Sequence, residues 1–313
     1  MNRLQYILKR ILQMIPVLLV VTILVFSIIH FIPGNPARLI LGEKATPEAV
    51  AALTEKLGLN KPLITQYFLF LKQILTLDLG TSFTYGVPVA DLLAVRLPVT
   101  IALTLFSTVI SLIISLPLGY FAGMHKDRLG DQVVRTASLV AISMPSFWVG
   151  LLLMIVFALK LRILPAGGWA STPFEQFKCL ILPAVTQSLM TTALLVRNTR
   201  NSVVDISRMD YVDFARSKGI SAGKVRTRHV MRNSMISTVT LLSMRMAAML
   251  GGSVIIETVF SVPGIGKLAS DAIFGRDYAV VQSVVLLFAV MVLVINLITD
   301  ILYSLLDPRV SLS

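Results

Sequence analysis

Charge is scarce in this sequence. Only 14% of its 313 residues are Asp, Glu, Lys or Arg, where a soluble domain carries about a quarter. That deficit excludes an ordinary solvated surface. Cysteine is nearly missing: Cys179 stands alone, so no intrachain disulfide forms and the redox compartment leaves no mark. Histidine is equally sparse. His30, His125 and His229 fall at no metal-binding spacing, so no resident metal is expected and a metal would arrive only as cargo. A Walker A sequence is lacking too. The nearest approach, Gly264-Ile265-Gly266-Lys267, has no glycine five residues before its second Gly, and Leu268 stands where Ser or Thr belongs. It reads as a turn. The chain is expected to be no enzyme and to hold no cofactor of its own.

What is abundant is apolar surface, with 56% hydrophobic residues. A helix crosses a ~30 Å hydrocarbon core with about 20 largely apolar residues. Six stretches qualify: 11–31, 98–123, 136–159, 180–196, 234–256 and 278–299. A net charge of +12 could point to nucleic acid, but the basic residues sit between apolar runs rather than along one stripe. No nucleic-acid partner is expected; the lipid bilayer is. The first stretch follows Arg3, Lys9 and Arg10 and so resembles a signal peptide. Its run is longer than an h-region and no small-x-small site follows at His30-Phe31-Ile32-Pro33, which predicts an uncleaved anchor.

The distribution of charge sets an orientation. With the N-terminus inside, segments 1–10, 124–135, 197–233 and 307–313 hold 16 Lys/Arg and 6 Asp/Glu. Segments 32–97, 160–179 and 257–277 hold 11 and 9. The Lys/Arg excess inside is what the positive-inside rule requires. The expected fold is all-α and polytopic: six transmembrane helices, N-in and C-in. Residues 1–32 form the N-terminus and first span, 33–97 an extracytoplasmic cap, and 98–313 a five-helix core with a cytoplasmic loop at 197–233.

The cap opens with turn chemistry at Pro33-Gly34-Asn35-Pro36. Thr46 and Pro47 then predict a helix start, as N-cap and first helical residue, with an end near Gly58. A second amphipathic stretch runs from Pro62 to Leu77.

The inner loop is the most informative segment. It carries nine basic residues. Asp210 is expected to cap a short helix, with Asp213 at N3 as in a capping box. Tyr211, Phe214 and Ala215 fall at i, i+3 and i+4 and are expected to share one face. Gly219 stops the helix, and Ser221 is expected to cap the next one. So short a helix with an aromatic knob is not stable alone and needs a socket. The competing reading lays the same basic loop on anionic headgroups, where each Lys or Arg gains about 1 kcal/mol.

Arg245 lies about eleven residues into the fifth stretch, about 16 Å deep at 1.5 Å per residue. A charge there faces a bundle interior or a cavity. It reads either as a pathway residue or as half of a structural ion pair. Pro145 interrupts the third stretch between Met144 and Trp148, two further pathway candidates, since broken helices can line a path.

The loop resembles the EAA motif of ABC-importer permeases, Glu-Ala-Ala, three residues, then Gly. Here it reads Asp213-Phe214-Ala215, Arg216-Ser217-Lys218, Gly219. Asp213 stands for the Glu and Phe214 for the first Ala, and the downstream Ile-x-Leu-Pro ending is absent near His229. The rest is similar to the dipeptide, oligopeptide and nickel branch of that family, at His30 to Ala37, Leu77 to Ser82, Ser143 to Trp148, Arg228 to Asn233, Glu257 to Gly264 and Asp307 to Arg309. The resemblance covers essentially the whole chain. It implies the type I importer permease fold, an inner-membrane location and a coupling role for Tyr211, Asp213, Phe214, Ala215 and Gly219. It also implies a second related permease subunit, two cytoplasmic ATP-binding subunits that bind ATP-Mg, and an extracytoplasmic solute-binding protein. Dipeptide, oligopeptide, glutathione, nickel and metallophore cargoes all remain open. So do a secondary transporter or channel acting without an ATPase, although no internal inverted repeat is visible, and a membrane scaffold with no cargo.

Overall fold

The computed structural model describes residues 3–31, 45–56 and 58–306. The turn predicted at residues 33–36 and the Asp307-Pro308-Arg309 stretch lie outside the described residues. The chain divides into two units, 1–100 with 263–294 and 101–262 with 295–313.

The first unit begins with α1, Arg3–Phe31. Helix α2, Pro47–Lys56, starts as expected: the Thr46 hydroxyl accepts the Ala49 amide at 3.3 Å. Gly58 then turns the chain at φ +66. Helix α3, Leu63–Leu75, is tied to α1 by a 3.0 Å hydrogen bond between the Thr22 and Tyr67 hydroxyls and by edge contact of the Phe26 and Tyr67 rings at 5.5 Å. Helix α4, Val89–Met124, follows. Its first turns pack Val89 and Leu93 against Ile265 and Leu268 of α10 (Ile265–Phe274) and Val280 and Val284 of α11 (Tyr278–Leu306). Asp277, just ahead of α11 and buried, accepts from the Ser82 hydroxyl at 2.5 Å, the Thr84 amide at 3.0 Å and the Val280 amide at 3.4 Å. One carboxylate thus caps a helix and pins the turn at 81–88.

The second unit holds the rest of α4, then α5 (Leu129–Ser143) and α6 (Ser146–Lys160). The expected third span is not one straight helix: α5 and α6 meet at 103°. Pro145 is the cause. It disfavours helical backbone at Met144, which is extended at φ −85 and ψ 132. By length and composition, five helices are able to cross a membrane, or up to six if the bent pair is one span, among the described residues.

Helix α7, Pro173–Ser207, is 35 residues long, well beyond the 180–196 stretch. The extension has a signature in Thr172-Pro173-Phe174-Glu175: Thr172 caps the helix by accepting the Glu175 amide at 3.4 Å, and its hydroxyl donates to the Glu175 carboxylate at 2.9 Å. Helix α7 is mostly buried. Lipid tails are as apolar as Leu, so small residues and polar contacts must hold such a helix. Gly119 and Gly123 of α4 let it approach: a Cβ would lie 2.6 Å from Thr199 Cβ at the first and 2.7 Å from Val203 Cβ at the second. Gln187 donates to the Met249 carbonyl at 2.8 Å, and the Thr199 and Thr238 hydroxyls meet at 2.8 Å. Both partners lie on α9, Ala222–Val259, a 38-residue helix with a π segment at Val225–Met231.

Candidate functional site

Helix α8, Asp210–Ser217, and the turn into α9 form the site. Five buried residues make its floor: Val203 of α7, Val212 and Ala215 of α8, and Val225 and Val230 of α9. Side chains at i and i+3 lie on one helix face, so Val212 and Ala215 together anchor α8. The expected Tyr211-Phe214-Ala215 face therefore divides. Ala215 points inward at 6% exposure, while Phe214 is 60% and Tyr211 38% exposed. The periodicity was compatible with either face; Val212 decides it, because its burial turns the neighbouring positions outward.

The caps differ from expectation as well. Met209, in extended backbone at φ −75 and ψ 141, occupies the N-cap position, and Asp210 is the first helical residue. No side-chain hydrogen bond caps α8. Asp213 ion-pairs with Arg216 at 3.1 Å instead of folding back. Both acids still lie in the first turn, where negative charge suits the helix dipole. Ser221 takes the cap position of α9 but likewise makes no capping bond.

The other end of α8 follows the sequence closely. Gly219 has φ +77, its amide donates to the Arg216 carbonyl at 2.9 Å, and the Ile220 amide donates to Ala215 at 3.3 Å. These two bonds are the Schellman pair that satisfies a helix's last carbonyls. The Lys218 ammonium lies 4.6 Å above the centre of the Phe214 ring. Two further residues join the site from the Arg228 to Asn233 stretch, to which the sequence assigned no contact. The Tyr211 hydroxyl donates to the His229 carbonyl at 3.3 Å and accepts from the Asn233 amide nitrogen at 2.8 Å. Beside them lies an open groove of about 620 Å³, lined by Arg228, His229, Arg232, Asn233, Met235 and Ile236.

The pathway candidates are placed separately. Arg245 is partly buried in α9 and has no hydrogen-bond or ion-pair partner among the described residues. Met144 is the residue at the break, and Trp148, 43% exposed, lies in the first turn of α6. No hydrogen bond or ring contact joins them to Arg245 among the described residues.

Two family profiles match. Residues 115–312 match "Binding-protein-dependent transport system inner membrane component", and residues 3–104 match the N-terminal part of such membrane components. The glutathione transport system permease protein GsiC of Salmonella typhi is 38% identical over 307 residues, covering 98% of this chain and 99% of that protein. The dipeptide transport system permease protein DppB of Alkalihalophilus pseudofirmus is 38% identical over 330 residues, with 98% and 99% covered. Among solved structures, the inward-facing MetNI methionine ABC transporter matches with a TM-score of 0.57 at 16% identity, over 69% of this chain and 96% of that one.

Proposed function

Because this chain belongs to the family of binding-protein-dependent transport system inner membrane components, and is a multi-pass inner-membrane permease subunit of an ATP-driven importer, we propose that α8 is the element through which an ATPase subunit drives it. The observation that carries this is the division of α8 into two faces. Val212 and Ala215 fix it to the chain, while Phe214 stands out at 60% exposure. An exposed aromatic on a rigidly seated helix is a poor investment for a lone chain and a suitable knob for a partner's pocket, since aromatic anchors dominate interfaces. The basic side chains around it would meet an acidic rim.

The further partners follow from the same reading: a second, related permease subunit, two ATPase subunits holding ATP-Mg inside, and a solute-binding protein outside. ATP hydrolysis belongs to the ATPase subunits, not to this chain. The cargo we propose is a short peptide, from the glutathione and dipeptide permeases that share its full length. Arg245, partly buried and without an acidic partner among the described residues, is the candidate to meet a peptide carboxylate.

The test is co-purification of the permease with its ATPase subunits. Phe214→Ala and Phe214→Asp should leave the permease folded, with its melting temperature unchanged, and should abolish retention of the ATPase subunits. Full retention by both variants would overturn the docking role.

A further inference from the structure

We infer that the Tyr211 hydroxyl is the linkage that transmits movement of α8 to α9, joining the docking helix to a membrane-spanning one. This rests on the docking reading of α8 and adds a positioning residue to it. A knob that docks moves nothing unless its helix is fixed to something that spans the membrane. The apolar floor seats α8 against α9 through contact that has no preferred direction. The polar linkage is directional. The Tyr211 hydroxyl donates to the His229 carbonyl at 3.3 Å and accepts a hydrogen bond from the Asn233 side-chain amide at 2.8 Å. Both hydrogen-bonding functions of the hydroxyl are therefore used, and both partners belong to α9.

The position of those partners matters. His229 lies in the π segment Val225–Met231, and Asn233 lies in the first turn of the α-helical run Arg232–Val259 that follows. A π segment closes i→i+5 bonds and is usually a single-turn departure from α geometry, frequent at functional sites. Tyr211 spans this irregular segment from the side, holding one residue within it and one beyond. The Tyr211 and His229 rings also lie against each other at 6.4 Å between centres. Without the hydroxyl, a push on Phe214 would be absorbed by the π segment; with it, the push reaches the regular helix.

The experiment uses the assembled transporter in proteoliposomes. Cys179 is the chain's only cysteine and is buried, so Cys179→Ala with Met235→Cys gives one reporter in the groove beside Asn233. The maleimide labelling rate is compared between the nucleotide-free and vanadate-trapped states. Tyr211→Phe and Asn233→Ala should each cut the nucleotide-dependent change about tenfold, equivalent to about 1.4 kcal/mol, while vanadate trapping itself continues. The double variant should be no worse than either single, because both break one linkage. An unchanged labelling response in either single variant overturns the inference, as do additive losses in the double or a reporter that ignores nucleotide in the parent. If Tyr211→Phe loses the ATPase subunits altogether, the hydroxyl serves docking and not transmission, which also overturns it. Phe214→Ala separates the two levels: trapping and labelling like the parent would show that the docking reading itself has failed.

Discussion

Arg200 holds Asp131 at two points, Nη2 donating to Oδ2 at 2.6 Å and Nε to Oδ1 at 3.0 Å. The Asp127 amide supplies a further donor at 2.9 Å, and Asp131 is fully buried. The pair ties the start of α5 to α7 across 69 residues of sequence. Breaking a buried pair from one side strands a charge, at a cost of about 3–5 kcal/mol.

Arg200→Met should therefore lower the melting temperature of the solubilised transporter sharply. Asp131→Leu combined with Arg200→Met should recover most of the loss, since no charge is then left unpaired. A double variant as unstable as the single would show that the pair contributes specific geometry instead.

The approach of α4 to α7 gives a second prediction. At Gly119 an added Cβ would lie 2.8 Å from the Val196 carbonyl oxygen, and at Gly123 2.9 Å from that of Arg200. Backbone cannot step aside as a side chain can. Gly123→Ala should cost about 1–3 kcal/mol, the usual cost of overpacking, and Gly123→Leu should prevent stable insertion. Thermal melts and the yield of folded protein measure both.

Gly219 predicts the opposite pattern. Nothing lies within 4 Å of an added Cβ, but φ is +77. Gly219→Ala should cost about 1–2 kcal/mol through left-handed backbone alone, and Gly219→Asn less, because Asn tolerates that region. The melt should follow the order Gly, Asn, Ala; a loss in Asn equal to that in Ala would contradict it.

Asp277 is the fourth position. Asp277→Ala leaves the Ser82 hydroxyl and two amides without their acceptor, each worth about 1–3 kcal/mol when buried. Limited proteolysis should then cut near residues 81–88 in the variant and not in the parent.

The sequence was most legible where local chemistry decides the outcome. Thr46-Pro47 starts a helix, Gly219 ends one, and Pro145 breaks one, each through its own backbone preference. The apolar stretches were visible for the same reason, although their polar ends were not: α7 extends past its apolar stretch because Thr172 caps it. Legibility failed where the answer depends on distant residues. Asp131 finds Arg200, and Tyr211 finds Asn233, through packing that no local pattern encodes. Ala215 was placed on the wrong face because three residues of an eight-residue helix fit either side until Val212 is known to be buried. Pro145 signalled an interruption, but the 103° angle depends on what α5 and α6 pack against.

The outward-standing Phe214 also bears on how such a protein is made. A chain synthesised ahead of its partners displays an exposed aromatic ring, with the Lys218 ammonium over it. If an ATPase subunit covers that ring as proposed, the permease should accumulate to a higher level when the subunit is made alongside it.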